Sequence, residues 1–301
     1  MAVTAPPYDV LSESDRADLA GRHENNIVRV DVPVEADGPG RYEQAATVLS
    51  SWVASGVLSL DDAPSFTIYR MDFTDALGRR RRTSGVIGAL EVVDEGAGGV
   101  LPHERTTPKA KTDRLDLTRA TLANLSPVWG LSLTPGLTEL LAEPGEPVGS
   151  IEVDGVVHSF ERVSDAQRVA AIAGAVGSND VVIADGHHRY AISRTFRDEQ
   201  RSADTGTHGA AELTMTYIGE LIEEQLSVDA IHRLYTGIST EKLTAALSAY
   251  FSAEEAGVVH PSITNDMRAK GALVMVRKDG SGLFLTPVSY THLTLPTILL
   301  V

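Results

Sequence analysis

The stretch VVIADGHHRYAISRTF, Val181 to Phe196, joins an apolar run to an amphipathic segment through a polar turn. The residues VVIA are apolar and mostly β-branched, which predicts a short buried strand. Ile192 and Phe196 lie four positions apart, as residues on one face of a helix do. The sequence therefore predicts a strand-to-helix turn, with the helix beginning near His187 or His188.

This turn carries groups that suit an anion at the start of a helix. The first backbone N–H groups of a helix have no acceptor within it, and the helix dipole adds partial positive charge there, so phosphate is favoured. Gly186 lets a ligand approach the backbone closely. Arg189 can form a bidentate pair with phosphate oxygens, and His187 and His188 can donate hydrogen bonds or carry charge near neutral pH.

Asp185 would repel a phosphate, so it needs another role. It can hold a magnesium ion, orient a histidine or cap the helix. Adjacent histidines on a helix point about 100° apart, which disfavours a shared zinc site. The ordinary alternative is a capped Asp-Gly turn with packed histidines and no ligand.

Length and composition limit the class of protein. The chain has 301 residues, enough for one large or two ordinary domains, and 41 acidic against 26 basic residues give a net charge of −15. This charge argues against broad nucleic-acid binding but is compatible with a small basic site. Cysteine is absent, which excludes disulfides and thiolate metal sites. With neither a signal peptide nor an apolar run near the roughly 20 residues of a membrane span, we expect a cytoplasmic protein without a membrane partner.

The segments before the corner alternate between predicted helices and strands. The β-branched run NIVRVDVP (26–33) predicts a strand, and RYEQAATVLSSWVASG (41–56) predicts a helix ended by Gly56. A hairpin is predicted from SFTIYRMDFT (65–74) and RTSGVIGALEVVD (82–94), and its basic run Arg79 to Arg82 is either a solvated loop or a phosphate contact. Further predictions are a helix within 111–125, a strand at 126–133, and a short helix with a linker at 135–147.

Later segments continue the mixture. The pair Asp154-Gly155 predicts a hairpin over 150–163, and Ser164 and Gln167 have capping-box spacing before a helix that ends at Gly177. Other predictions are strands at 213–221 and 227–235, a helix capped by Ser239, and a hairpin over 272–287. Because there is no regular βαβ alternation, the sequence predicts an α+β fold of mixed sheets with packed helices.

The linker before residue 146 is the predicted domain boundary. It separates an N-terminal α+β part, residues 1–145, from a second α+β part, residues 146–287. The tail VSYTHLTLPT, from Val288, resembles the translation of a sequencing adapter, so residues 288–301 are left out of the fold prediction. On this interpretation the chain is a fragment that naturally continues beyond Pro287; the alternative is a genuine apolar terminus.

Seven short motifs occur in order along nearly all of the chain. They are APPYDV (5–10), HENNIVRV (23–30), LPHERT (101–106), KTDRL (111–115), NLSPV (124–128), ADGHHRY (184–190) and IHRL (231–234). Together they resemble the DUF1015 family. The strand, DGHHRY and helix arrangement is similar to the phosphate-binding corner of the ParB/sulfiredoxin-like superfamily, which includes DNA-segregation nucleotide switches, sulfiredoxins and free-serine kinases. The resemblance implies a ParB/sulfiredoxin-like nucleotide-binding core, with LPHERT in the first part of the chain and ADGHHRY in the second.

The free-serine kinases imply roles for residues of LPHERT. In those enzymes a polar segment that faces the nucleotide supplies a glutamate base, and by that match Glu104 is the candidate base here. His103 would orient it or touch phosphate, and Thr106 would bind a phosphate oxygen or the substrate. Lys111 or Arg114 would add positive charge, unless both lie on a solvated helix face. In this chain a long segment separates LPHERT from ADGHHRY, unlike in the smaller kinases. We expect the two motifs to face each other in the folded protein.

The implied function is that of a nucleotide-dependent phosphotransferase acting on a small hydroxyl substrate such as free serine. The donor would be ATP or ADP, and Asp185 would help to place Mg²⁺, because phosphoryl transfer depends on positioning and on neutralising charge. One alternative is a non-catalytic nucleotide-binding regulatory module of the ParB-like type. A DNA-associated form of it is disfavoured by the net charge and by the lack of a clear helix-turn-helix. The other alternative is a metal-dependent phosphohydrolase that uses the histidines and Glu104.

Overall fold

The structure, a computed structural model, describes residues 2–35, 40–75, 78–103, 111–203, 209–225 and 233–288. The chain divides into two compact units, Met1–Ser227 and Val228–Leu300. The predicted boundary before residue 146 lies inside the first unit. The reason is that strands β5 (Glu146–Val153) and β6 (Val156–Val163) join the sheet of this unit, where β6 pairs with β1 (Phe66–Thr74).

The first unit combines one large sheet with helices. Its other strands are β2 (Arg80–Glu91), β3 (Val100–Leu101), β4 (Val128–Ser132), β7 (Val181–Asp185) and β8 (Leu213–Glu220). Its helices are α1 (Glu13–Arg22), α2 (Val28–Asp31), α3 (Arg41–Ala54), α4 (Lys111–Thr121), α5 (Leu137–Ala142), α6 (Ala166–Gly177) and α7 (His187–Ser202). This mixture confirms the predicted α+β class.

The eight strands form one mixed sheet in the order β3-β7-β4-β8-β2-β1-β6-β5. The pairs β3–β7 and β4–β8 are parallel, and the other neighbouring pairs are antiparallel. Both predicted hairpins of this unit are confirmed as β1–β2 and β5–β6. Asp154 and Gly155 form the turn of the second hairpin, with φ values of 51° and 78°. Such positive φ values at two central residues are typical of a type I′ turn.

Two hydrophobic clusters lie on one face of this sheet. In the first, buried strand residues such as Ile68 and Ile218 pack against Leu137 and Leu141 of α5 and Ile172 of α6. The second lies at the end of β7 and joins Val100, Val128 and Ile183 to Tyr190 of α7. Tyr190 also accepts a hydrogen bond from the backbone N–H of Val93 at 2.9 Å. Together these contacts hold the start of α7 against the strands β3, β4 and β7.

A separate helical layer forms around α3, where Ala45 and Trp52 pack against Val30 and Leu117. Here the strand predicted at NIVRVDVP is wrong, because residues 28–31 form helix α2. The reason is Asn26, which is fully buried and whose Oδ1 accepts a hydrogen bond from the N–H of Val28 at 3.0 Å. A side chain that bonds to the backbone two residues later starts a turn, and this outweighs the β-branched composition.

The cap of α6 also differs from the prediction. The helix was predicted to begin with a Ser164–Gln167 capping box, but its N-cap is Asp165, whose Oδ1 accepts from the N–H of Arg168 at 2.8 Å. Both residues are good caps, so the choice between them depends on where the chain leaves β6.

The second unit contains a three-stranded sheet, β10-β11-β9, and two helices. Its elements are α8 (Thr240–Leu247), β9 (Phe251–Val258), α9 (Ile263–Lys270), β10 (Leu273–Val276) and β11 (Ser281–Pro287). The Ser239 cap and the β10–β11 hairpin are confirmed, whereas β9 and α9 were not predicted. The strand predicted at 227–235 falls largely outside the described residues, and none is assigned to the described part, 233–235.

None of the helices that the structure describes is long and apolar enough to cross a membrane.

Candidate functional site

The corner between β7 and α7 has the predicted form, and α7 begins at His187. Gly186 is the N-cap residue and has a φ of 89°, a left-handed conformation that glycine adopts most easily. Within the described residues, no side chain caps this end and the first turn of α7 contains no acidic residue. The predicted capping role of Asp185 is therefore not seen.

The short strand β3 brings His103 to this corner. Val100 and Leu101 pair in parallel with Val181 and Val182, so β3 and β7 end at the same edge of the sheet. The backbone N–H of His103 donates to Nε2 of His187 at 3.3 Å. The two imidazole rings meet edge to face, with centroids 4.5 Å apart and an interplanar angle of 84°. In this contact, Nε2 of His187 is the hydrogen-bond acceptor. His187 is buried and His188 is half-buried.

Arg189 folds back over the N-cap residue of its own helix. Its Nη2 lies 2.5 Å from Oδ2 of Asp185, and its Nη1 donates to the carbonyl oxygen of Pro127. A Cβ added at Gly186 would lie 3.1 Å from both Nε and Cζ of Arg189. The space that was predicted to admit a ligand at Gly186 thus holds the Arg189 guanidinium. Asp185 consequently neutralises much of the charge that Arg189 was predicted to offer.

A small pocket lies beside Arg189, between α4, α7 and the N-terminal segment. It encloses about 50 Å³. Its lining residues are Tyr8, Asp31, Arg114, Leu117, Thr118, Ala123, Asn124, Leu125, Ser126, Arg189, Ile192 and Ser193. The lining is rich in charged and hydroxyl groups, so the pocket suits a small polar ligand.

A buried ion pair forms one wall of this pocket. Nη1 of Arg114 donates to the backbone oxygen of Asp31 at 2.6 Å and to its Oδ1 at 3.0 Å. The guanidinium also lies 4.0 Å from the ring centroid of Tyr8, a cation–π distance. Burial raises the pKa of Asp31 above its ordinary value although Arg114 opposes the shift, and burial likewise raises the pKa of Tyr8. Only 13% of the Arg114 side chain is exposed. Arg114 therefore does not lie on a solvated helix face, which was the alternative left open by the sequence.

Hydrogen bonds link the pocket to β8. Oδ1 of Asn124 accepts from the Thr214 hydroxyl at 3.1 Å, and that hydroxyl lies 2.9 Å from the Ser193 hydroxyl. Asn124, the first residue of the motif NLSPV, thus connects the segment before β4 to β8 and, through the Thr214 hydroxyl, to α7. Asp113 instead accepts from Tyr42 at 2.7 Å, between α4 and α3.

Some predicted residues lie elsewhere. Glu104 and Thr106 are outside the described residues, and Lys111 is the first residue of α4. In the basic run, Arg79 pairs with Asp75 and Arg82 with Asp72, at 2.8 and 2.7 Å. Among the described residues, no group of three or more histidines and carboxylates is placed to hold a metal ion.

Tyr8, Asp31 and Ser193 line the pocket but were not predicted from the sequence as site residues. Asp31 had a visible signal, because an acidic residue interrupts the apolar run VRVDV. Tyr8 belongs to the motif APPYDV but carried no chemical argument of its own. Ser193 looked like an ordinary helix residue.

The family model described as "Protein of unknown function (DUF1015)" matches residues 1–297. The chain belongs to the DUF1015 family. Neither a curated protein nor a solved structure matches it.

In this DUF1015 chain, six of the seven motifs that carry the resemblance lie in the first unit, and IHRL lies in the second. APPYDV, KTDRL, NLSPV and ADGHHRY each contribute a side chain to the pocket, and Asp31 directly follows HENNIVRV. LPHERT reaches the corner through His103. Segments that are far apart in the sequence therefore share one location, as residues of a common binding site do.

Proposed function

We propose that this DUF1015 chain is a nucleotide-dependent phosphotransferase that acts on a small hydroxyl substrate such as free serine, with ATP or ADP as the donor. The observation that carries the proposal is the meeting of His103 and His187 at the first residue of α7. It joins the two motifs that the kinase resemblance requires to face each other. It does so at a helix start, where backbone N–H groups and the helix dipole favour phosphate.

In this proposal the donor phosphates contact the first turn of α7. The backbone N–H groups that follow Gly186 provide most of the binding, because Asp185 neutralises much of the charge on Arg189. His103, which lies at this corner, and His188, the second residue of α7, would donate further hydrogen bonds. The side chain of Arg189 would mainly hold the turn in shape, through Asp185 and the carbonyl of Pro127.

Asp185 also suits a limited role toward Mg²⁺. This ion is usually held by one or two carboxylates together with substrate phosphates and water. The side chain of Asp185 is 43% exposed while its Oδ2 binds Arg189, so one carboxylate ligand is the most that it offers. When bound, the ion neutralises negative charge on the transferred group.

The small pocket beside Arg189 is our candidate for the acceptor. Two carboxylates are candidates for the base: Glu104, implied by the resemblance, and Asp31, whose raised pKa makes it more basic than an ordinary aspartate. The base takes the hydroxyl proton as the hydroxyl oxygen bonds to the terminal phosphorus. The bond from that phosphorus to the bridging oxygen breaks, and the nucleotide leaves one phosphate shorter.

The test is to incubate the protein with Mg²⁺, serine and either ATP or ADP, and to measure O-phosphoserine by mass spectrometry. We expect product with one of the donors. Substituting the true base, by Glu104→Gln or Asp31→Asn, should lower kcat by about 10²–10⁴-fold. Glu152→Gln, at an exposed carboxylate of β5, is the control and should have no effect.

The outcome also separates the alternatives. If nucleotide binds but neither donor yields O-phosphoserine, the serine-kinase proposal fails and the regulatory module is favoured. Phosphate release without serine would favour a phosphohydrolase.

A further inference from the structure

Trp129 lies on β4 with its side chain on the sheet face opposite the helices. Burial alternates along this strand: Val128, Gly130 and Ser132 are buried, whereas Trp129 is 38% exposed. Val128 packs in the cluster that contains Tyr190 of α7. Since neighbouring residues of a strand point to opposite faces, the indole lies on the face away from α7.

The same residue lies next to the corner. Trp129 is the register partner of Asp185 on β7, and adjacent strands are about 4.8 Å apart. The register then shifts, because Gly130 pairs with Ile183, so β7 carries a bulge at Ala184. A bulge redirects the chain locally and is common next to active sites. Pro127, two residues before Trp129, accepts the hydrogen bond from Arg189.

A nucleotide whose phosphates lie at the start of α7 places its base one sugar away from them. We propose that the base of the donor nucleotide stacks on Trp129, an inference that rests on the proposed function. Aromatic side chains stack on any base, because every base has a π-face. The nucleotide then passes over the end of the sheet, with its phosphates at α7 and its base on the opposite face.

The exposed area of Trp129 is large enough for one ring to stack on it. At 38% exposure, an indole offers on the order of 100 Å². The other tryptophan of the chain, Trp52, is 6% exposed in the helical layer, as is usual for so large an apolar side chain.

The test compares a ligand that has a base with one that has none. Isothermal titration with Mg²⁺ measures the binding of ATP and of inorganic tripolyphosphate to the wild type, Trp129→Ala and the control Leu133→Ala. Leu133 follows β4 and is 42% exposed, so its replacement removes a similar apolar surface. We expect Trp129→Ala to weaken ATP binding by about 10-fold and to leave tripolyphosphate binding unchanged. Leu133→Ala should bind both ligands like the wild type.

Fluorescence provides a second measurement that does not depend on affinity. In a Trp52→Phe variant, Trp129 is the remaining tryptophan, and ATP should quench its emission while tripolyphosphate should not. Equal ATP affinity in Trp129→Ala and the wild type, without quenching, would overturn the stacking inference and leave the phosphate site standing. If the wild type binds neither ligand, the proposed function fails and this inference fails with it.

Discussion

Replacing Gly186 by alanine tests whether the corner depends on a residue without a side chain. The backbone there has a φ of 89°, and an added Cβ would lie 3.1 Å from the guanidinium of Arg189 and 3.3 Å from the Cα of Val128. A left-handed conformation costs an alanine about 1–2 kcal/mol. Moving Arg189 out of its rotamer adds about 0.5–1.5 kcal/mol. We therefore expect Gly186→Ala to lower the free energy of unfolding by about 1.5–3.5 kcal/mol.

Gly136 provides a matched control. It is the N-cap of α5 with a φ of 84°, and no described atom lies within 4 Å of its Cβ position. Gly136→Ala should therefore show the backbone cost alone, about 1–2 kcal/mol. The difference between the two variants isolates the crowding of Arg189.

Urea denaturation followed by tryptophan fluorescence is the assay. Both tryptophans, Trp52 and Trp129, belong to the first unit, so the signal reports its unfolding. Gly186→Ala should also weaken ATP binding by roughly 10-fold, because the new methyl group displaces the Arg189 side chain that holds the turn of the proposed phosphate site in shape. The reasoning would be refuted if Gly186→Ala cost no more than Gly136→Ala and bound ATP like the wild type.

Three further predictions concern the stability of the first unit. Arg197→Met should lower the free energy of unfolding by about 1–3 kcal/mol, because the side chain is 2% exposed and its loss leaves a buried backbone carbonyl without a donor; an unchanged urea midpoint would contradict this. Asp165→Ala should lower the free energy of unfolding by about 1 kcal/mol in the same assay, whereas Ser164→Ala should leave it almost unchanged. A larger loss for Ser164→Ala than for Asp165→Ala would instead favour Ser164 as the cap, as predicted from the sequence. Hydrogen bonds from Arg70 lower the pKa of Glu161 in the folded state. The stability that this pair contributes is therefore present above about pH 4.3, the pKa of an unfolded glutamate, and is lost as the pH falls through the lower folded-state pKa. Denaturation between pH 3 and 7 should therefore show a steeper acid loss for the wild type than for Glu161→Gln, and parallel curves would count against the pair.

Local signals predicted much of the fold. The pair Asp154-Gly155 identified the β5–β6 hairpin, because the two-residue turn that joins such strands requires positive φ at both central residues. The hairpin predicted over 272–287 is also present, and Gly280 has a positive φ in its turn. The polar corner identified the start of α7, because apolar periodicity changes there from that of a strand to that of a helix. At 26–33 the local pattern misled, since the hydrogen bonds of buried Asn26 outweighed β-branched composition.

The candidate site was only partly visible in the sequence. Gly186, His187 and Arg189 could be named because they lie together in one motif. Asp31 and Tyr8 could not be assigned, because their role depends on packing against Arg114, which is more than 80 residues distant from either.

By itself, the sequence determined the change from strand to helix between β7 and α7, since this change follows from properties of neighbouring residues. It also determined the chemistry available at the corner: an aspartate, a glycine, two histidines and an arginine in a row. Only the tertiary structure decided which partners these groups contact. A two-residue parallel strand brings His103 to His187 across 84 positions, and the Asp185–Arg189 pair uses charge that the sequence had assigned to a ligand. Contacts of this kind arise from the order of strands in the sheet, and no local pattern of residues encodes that order.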